Sequence, residues 1–377
     1  MSQAKLNWRQ VMAWRVQRHH LDERVPKRRA LDVVGDIGCL HAQLMSSAEL
    51  ALWARVDKLK RNDVEKWLWT DRRLVKTWAM RGTLHLLKSD EYQLWRAGLG
   101  TYKHYLKPAW FKAFGVTEKE LEELIAAISR ALDGRTLTRD ELAQRISKIT
   151  KSDALADKLR ESWGAMLKPA SFQGRLCFGP NKGRNVSFAR PDQWLGLNES
   201  DAIDPTEALE EITRRFLSAY GPATREDLAR WWAVSPAAGG RFISGLGDEV
   251  VPVGLDGGKY WALTETLDEM RAASPTKSVR LLPGFDPYII GSTTHAAKLM
   301  SGDFKARVHR PQGWVSPVLL VDGRIDGVWR HERKGKRLMV DIEPFASVPK
   351  WVVRGAEQEA EGLASFMGAP LELTWLR

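Results

Sequence analysis

Two polar side chains in an otherwise apolar stretch have the types and spacing for chemistry. In Cys39-Leu-His-Ala-Gln-Leu-Met45, His41 and Gln43 are two residues apart. Extended backbone would turn both side chains to one side. A histidine exchanges a proton near neutral pH, and a glutamine orients a bound molecule through its carbonyl and amide without acting as a base. The segment follows an apolar helical stretch, ALDVVGDIG, and precedes a helix whose start is marked by Ser46 and Glu49 at capping-box spacing. Unpaired amides at such a start favour an anion such as phosphate. The plainer alternative is a junction loop in which His41 and Gln43 satisfy backbone groups. Spacing alone leaves both readings open.

Other chemistries lack their signatures. The chain has no P-loop, no dinucleotide-binding glycine pattern, no HExxH and no GxSxG. Its eight histidines are scattered without metal-ligand spacing, so no metal and no cofactor are expected. Two cysteines, Cys39 and Cys177, are too few for a disulfide framework or a cysteine-built zinc site. Over 377 residues, 58 Lys+Arg stand against 47 Asp+Glu, a formal net charge of +11. Residues 1–190 carry 36 and 21, net +15, whereas residues 191–377 carry 22 and 26, net −4. A basic half of this kind suits a nucleic-acid surface, although many ordinary proteins are also basic. Most of the tryptophans, such as Trp53, Trp67 and Trp78, sit among apolar neighbours and are assigned to the core. No apolar run approaches the ~18 residues of a membrane span, and MSQAKLNWRQ lacks a signal-peptide core. A cytoplasmic protein with no membrane contact is expected.

An internal repeat shows how these residues are positioned. Thr138-Arg-Asp-Glu-Leu-Ala143 recurs as Thr224-Arg-Glu-Asp-Leu-Ala229. Each copy follows an amphipathic helix closed by glycine: Leu121, Leu124, Ile125, Ile128 and Leu132 share one face before Gly134, and Leu209, Ile212, Phe216 and Leu217 share another before Gly221. Thr117 with Glu120, and Thr138 with Glu141, fit the capping box. After each copy come two strands, around Gly-Pro-Asn-Lys-Gly in residues 172–189 and around Asp256-Gly257-Gly258 in residues 250–263. Helix-turn-helix followed by a hairpin is the winged-helix plan. A more diverged unit opens the chain, with helices at 6–20, 28–38, 48–56 and 63–69 and a strand at 77–87. From Val279 onward short alternating strands with Gly, Asp and Pro turns predict an antiparallel sheet or small barrel, then a helix at 357–366 and a strand at 371–376. The expected fold is therefore α+β: three tandem winged helix-turn-helix units plus a C-terminal antiparallel β-barrel-like domain. The segments are 1–110 with the His41 loop, 111–200, 201–275 and the β-rich 276–377.

Residues 39–56, CLHAQLMSSAELALWARV, resemble the diagnostic region of the AlkZ-like DNA glycosylases, a winged-helix family with a catalytic Gln-Φ-Gln motif in which Φ is aliphatic. MRGTLHLL at 80–87 resembles that family's first-wing strand. The similarity extends to GPATREDLARWW at 221–232, LLPGFDPYIIG at 281–291 and SPVLLVDGRIDGVWR at 316–330, in the same order along nearly the whole chain. It implies a metal-free, monomeric, monofunctional enzyme without an obligate protein partner, acting on duplex DNA. The implied reaction is hydrolysis of the N-glycosidic bond of N7-alkylated purines, including bulky genotoxin adducts and crosslinks, in DNA repair or antibiotic self-resistance. Gln43 matches the second motif glutamine, while His41 stands where the first usually is. N7 alkylation makes the purine a cationic leaving group, so positioning a water is the main task. Gln43 is assigned to orient it, and His41 to act as base or second orienter.

DNA contacts are assigned to the basic loops. Lys182 and Arg184 flank Gly183 at a wing tip, and Arg307 and Arg310 lie beside Pro311-Gln-Gly-Trp314 in what reads as a hairpin tip. Arg81 is assigned to the DNA backbone, with His85 on the same strand face packing inward. Asp286 reads first as a turn residue before proline, and Glu357–Glu361 as a solvated helix face. The competing reading is a winged-helix transcription regulator without catalytic activity, because single winged helices usually regulate. A third is a binding protein that sequesters adducts without turnover.

Overall fold

The repeated helix starts are built as their spacing predicts. In the computed structural model, which describes residues 4–198, 201–300 and 302–376, Thr117 and Glu120 close a capping box on the helix Glu118–Ala131. Thr138 and Glu141 close another on Arg139–Thr150. Each pair satisfies two backbone donors that helix geometry leaves unpaired. Glu118–Ala131 buries Leu121, Leu124, Ile125 and Ile128, the predicted apolar face. Ser152 caps the next helix, Asp153–Glu161, and the antiparallel strands Cys177–Lys182 and Asn185–Ala189 follow. Leu137–Thr138 pairs on the other side of Asn185–Ala189, completing a three-stranded sheet. Its turn is tighter than predicted. The first strand runs on through Pro180 to Lys182 across an irregularity, and Gly183, at φ +63, makes the reversal with Arg184.

The second copy repeats the order with different packing. Helix Pro205–Tyr220 leads to Arg225–Trp232, capped by Thr224 and Asp227, and then to Pro236–Gly245, capped by Ser235. The hairpin Val250–Leu255 and Gly258–Leu263 follows, and Ala223 bridges Trp261. The strand Ala4–Leu6, which the sequence pattern does not indicate, pairs in parallel with this hairpin, Ala4 opposite Val253. Trp8, Val11 and Trp14 of the helix Trp8–Arg18 bury themselves with Val253, Leu255, Ala262 and Met270. Removing so many large apolar surfaces from water is what ties the N-terminus to this hairpin.

Several local expectations are corrected. The strand expected at 77–87 is two antiparallel strands, Leu74–Trp78 and Leu84–Lys88, joined by a tight turn at Met80–Gly82. Arg81 sits in that turn at φ 58, so Arg81 and His85 do not share a strand face. The Ser46–Glu49 capping box does not form. The helix Met45–Trp53 has already begun, with Leu44 at its N-cap and no side-chain cap. The C-terminal strands form an open five-stranded sheet rather than a barrel, in the order Val279–Leu282, Val318–Val321, Arg324–Lys334, Arg337–Pro344 and Leu371–Trp375. Its last pair is parallel, because the helix Lys350–Met367 returns the chain before Leu371. Glu359 on that helix is buried rather than solvated; it pairs with Arg24 at 2.8 Å.

The chain divides into two compact units, Met1–Asp63 with Thr213–Arg377, and Val64–Ile212. The second holds 24 Lys+Arg against 21 Asp+Glu, net +3, and the first 34 against 26, net +8. Both units are therefore basic. Among the described residues no helix is long and apolar enough to cross a membrane.

Candidate active site

The His41 loop is buried on one side and open on the other. Leu40, His41 and Ala42 are all buried, while Gln43 and Leu44 are exposed. The strand Leu40–His41 ends at the histidine, and Gln43 lies in the bend before the helix Met45–Trp53. The shared face expected of a fully extended segment is thus replaced by a division: a buried imidazole followed by an amide side chain in solvent. His41 stacks on Phe285, with ring centroids 5.0 Å apart and planes inclined by 18°. Offset stacking of this kind holds an imidazole in one orientation.

Phe285 is itself placed by an ion pair invisible in the sequence. Asp286 and Arg55 are both fully buried, and both guanidinium Nη atoms of Arg55 donate to the Asp286 carboxylate at 2.8 Å. Arg55 Nη1 also donates to the carbonyl of Ala51, and Asp286 caps the amide of Tyr288 at 2.9 Å. Burying two charges is tolerated because their bonding is bidentate; removing one partner of such a pair typically costs about 3–5 kcal/mol. The turn expected at Asp286 is present, but its carboxylate does more than shape it. It locks the backbone on which Phe285 takes φ +62. Arg55 carried one sequence signal: a cation between apolar residues at the end of a helix.

Leu44, the residue after Gln43, lines a cavity of about 270 Å³. Leu50, Phe285, Trp314, Pro317 and Trp329 are also among its apolar lining residues. Phe285 also meets Trp314, with ring centroids 5.3 Å apart. Aromatic surface therefore runs without a break from His41 through Phe285 to Trp314. Among the described residues no three His, Cys, Asp or Glu side chains are grouped so as to hold a metal ion.

The basic residues are dispersed. Lys182 pairs with Glu141 at 2.8 Å, and Arg184 stands exposed at the turn beside it. Arg307 belongs to the short helix Lys305–Val308 and pairs with Glu343 at 2.6 Å. The hairpin-like tip expected there is reduced to a turn at Pro311–Gly313 under a single bridge between His309 and Val315. Arg310 is exposed and lines the cavity. His85 is buried, its Nδ1 3.0 Å from the carbonyl oxygen of Thr83, as the packing assignment requires. Trp53, Trp67 and Trp78 are buried, in agreement with their core assignment.

This arrangement has close counterparts among known proteins. The chain is 37% identical over 367 residues to an interstrand DNA cross-link repair glycosylase of Streptomyces sahachiroi, covering 97% of each chain. The solved structure of the Streptomyces sahachiroi DNA glycosylase AlkZ superposes with a TM-score of 0.89 at 36% identity, covering 98% of this chain and 100% of that one. The model of the family described as DNA glycosylase AlkZ-like matches residues 34–366, from the helix before the His41 loop to the end of the C-terminal helix. The chain belongs to the AlkZ-like DNA glycosylase family.

Proposed function

We propose that this glycosylase releases N7-alkylated purines from duplex DNA, including bulky adducts and interstrand crosslinks, with Gln43 and His41 as its catalytic pair. The observation that carries the reading is the division within one loop: Gln43, at the family's catalytic glutamine position, is exposed, and two residues before it the His41 ring is stacked on Phe285. The crosslink substrate is supported by the repair glycosylase matched across 97% of the chain.

The chemistry follows from the leaving group. A purine alkylated at N7 is a cation, so when the C1′–N9 bond breaks its electron pair neutralises that charge and no strong general acid is needed. Water oxygen bonds to C1′, and one of its protons leaves to His41 or to solvent. Gln43 orients that water; its amide has neither the basicity nor the acidity to do more near neutral pH. The products are the free alkylated purine and an abasic site. Positioning the duplex falls to the exposed cations Lys182, Arg184, Arg307 and Arg310 and to the half-buried Arg81, whose phosphate contacts orient without reading sequence. In this reading the chain acts as a monomer. The segments 1–110, 111–200 and 201–275 are winged-helix units, two of them supported by the repeated helix–helix–hairpin order.

The test is release of free 7-alkylguanine from a defined duplex, followed by mass spectrometry. Gln43→Ala should slow release at least about 100-fold while duplex affinity stays near that of the parent. Excision retained in that variant would remove Gln43 from the mechanism.

A further inference from the structure

Four large hydrophobic side chains are exposed among the described residues: Leu44 at 40%, Leu106 at 37%, Trp163 at 93% and Trp314 at 48%. Two of the four, Leu44 and Trp314, line the same cavity, and Leu44 directly follows Gln43. Exposed apolar surface gathered at a concave site marks ligand binding more often than scattered exposure does. A cavity of about 150 Å³ suffices for one benzene ring, so the 270 Å³ here has room for a two-ring aromatic group.

The surface lining the cavity is mostly apolar; its polar side chains are Ser46, Ser47, Arg310, Ser316 and His331, beside the two tryptophan Nε1 groups. Trp329 Nε1 donates to the carbonyl of Leu282 at 2.8 Å, and the Ser316 hydroxyl donates to the carbonyl of Arg307 at 2.8 Å. His331, which stacks on Trp329, is shifted by burial towards its neutral form. Arg310 is the one permanently charged side chain in the lining. A purine lying in such a pocket would set its hydrogen-bonding edge largely against apolar surface, whereas an apolar aromatic substituent needs no partner.

We infer that the pocket bounded by Leu44, Phe285 and Trp314 is a specificity subsite that receives the planar aromatic substituent attached at N7 of the alkylated purine, and not the purine. The inference rests on the glycosylase reading above and adds the class of adduct that the enzyme prefers. The His41–Phe285–Trp314 aromatic line then has a use: an aryl group seated against Phe285 and Trp314 lies alongside the residues that attend the glycosidic bond. Binding energy from this remote group accelerates the reaction only if it helps position the reacting centre, so the expected signature is a preference in kcat/KM.

Two duplexes of one sequence decide it, one carrying 7-methylguanine and one carrying guanine with a naphthylmethyl group at N7. The parent enzyme should release the naphthylmethyl base with the higher kcat/KM. Trp314→Ala should lower the aryl-to-methyl ratio about tenfold, the scale of one lost aromatic face. Trp314→Phe, which keeps an aromatic wall, should hold the ratio within about threefold of the parent. A fall of both substrates by one factor, an unaltered ratio in Trp314→Ala, or a parent enzyme with no aryl preference would each overturn the subsite while leaving the glycosylase reading intact. Release of neither base by the parent would instead overturn the substrate reading, and the subsite with it.

Discussion

Residues 138–143 and 224–229 carry nearly the same six letters and start their helices in the same way, yet they do different work. In the first, the Thr138 hydroxyl accepts from the amide of Glu141, and the Glu141 carboxylate accepts from the amide of Thr138 at 2.7 Å. In the second, Thr224 and Asp227 form the same reciprocal pair, with Thr224 N–H donating to Asp227 at 2.8 Å. Beyond the cap they diverge. Glu141 is exposed, and its further partner is Lys182 on the hairpin of the same unit. Asp227 is buried beneath the Thr293–His295 segment, where Thr294 Oγ1 donates to it and His295 Nε2 lies 2.9 Å away. A capping box is a local code, whereas the fate of the carboxylate after capping depends on what the rest of the chain lays over it.

The carboxyl groups register that difference. Burial alone would raise the Asp227 carboxyl, but the hydrogen bond and charge of His295, with Thr294 and the Thr224 amide, hold it well below the usual range. Glu141 is also held down, first by its hydrogen bond from Lys182 and then by the Thr138 amide, but in the open.

Removing the buried partner should give the largest contrast. Asp227→Ala should cost about 3 kcal/mol at neutral pH, since it deletes a cap and strands His295 and Thr294. Chemical unfolding measures this directly, and Glu141→Ala should shift the midpoint far less. Equal losses in the two variants would show that burial adds nothing to the cap.

Acid should separate the copies next. A carboxyl lowered by folding contributes stability that is complete above its unfolded pKa, near 3.9, and is lost as pH falls through the folded value. The Asp227 contribution should therefore be intact at pH 5 and above and decline below about pH 4. Asp227→Asn should flatten the stability profile in that acid range. A slope identical to the parent's there would detach Asp227 from acid stability.

The smallest effect tests what the copies share. Thr138→Ala and Thr224→Ala should each cost about 1 kcal/mol, the usual loss of a threonine N-cap. A Thr224 loss several times the Thr138 loss would mean that the cap and the buried carboxylate act as one unit.

Much of this was legible in the residues. Capping boxes at Thr117 and Thr138, the apolar face of Glu118–Ala131 and the two hairpins after the repeats follow from spacing within a few residues. Ser46 had the right spacing and failed, because the helix it was to cap already begins at Met45, which puts Ser46 inside its first turn. The charge division also changed meaning. Residues 191–212 hold seven acidic and no basic side chains, and folding groups them with the basic 64–190 stretch, so neither unit is acidic as a whole.

What the sequence determined by itself was therefore local: the helix starts, the hairpins, and the polar His-Ala-Gln segment in an apolar stretch. Tertiary structure alone decided that Arg55 would find Asp286, that Phe285 would lie against His41, that Ala4–Leu6 would join Val253–Leu255, and that Leu44 and Trp314 would enclose one cavity. Spacing rules reach only as far as a helical turn or a strand pleat. Those other partners lie hundreds of residues apart, and only the burial of apolar surface, which has no sequence period, brings them together.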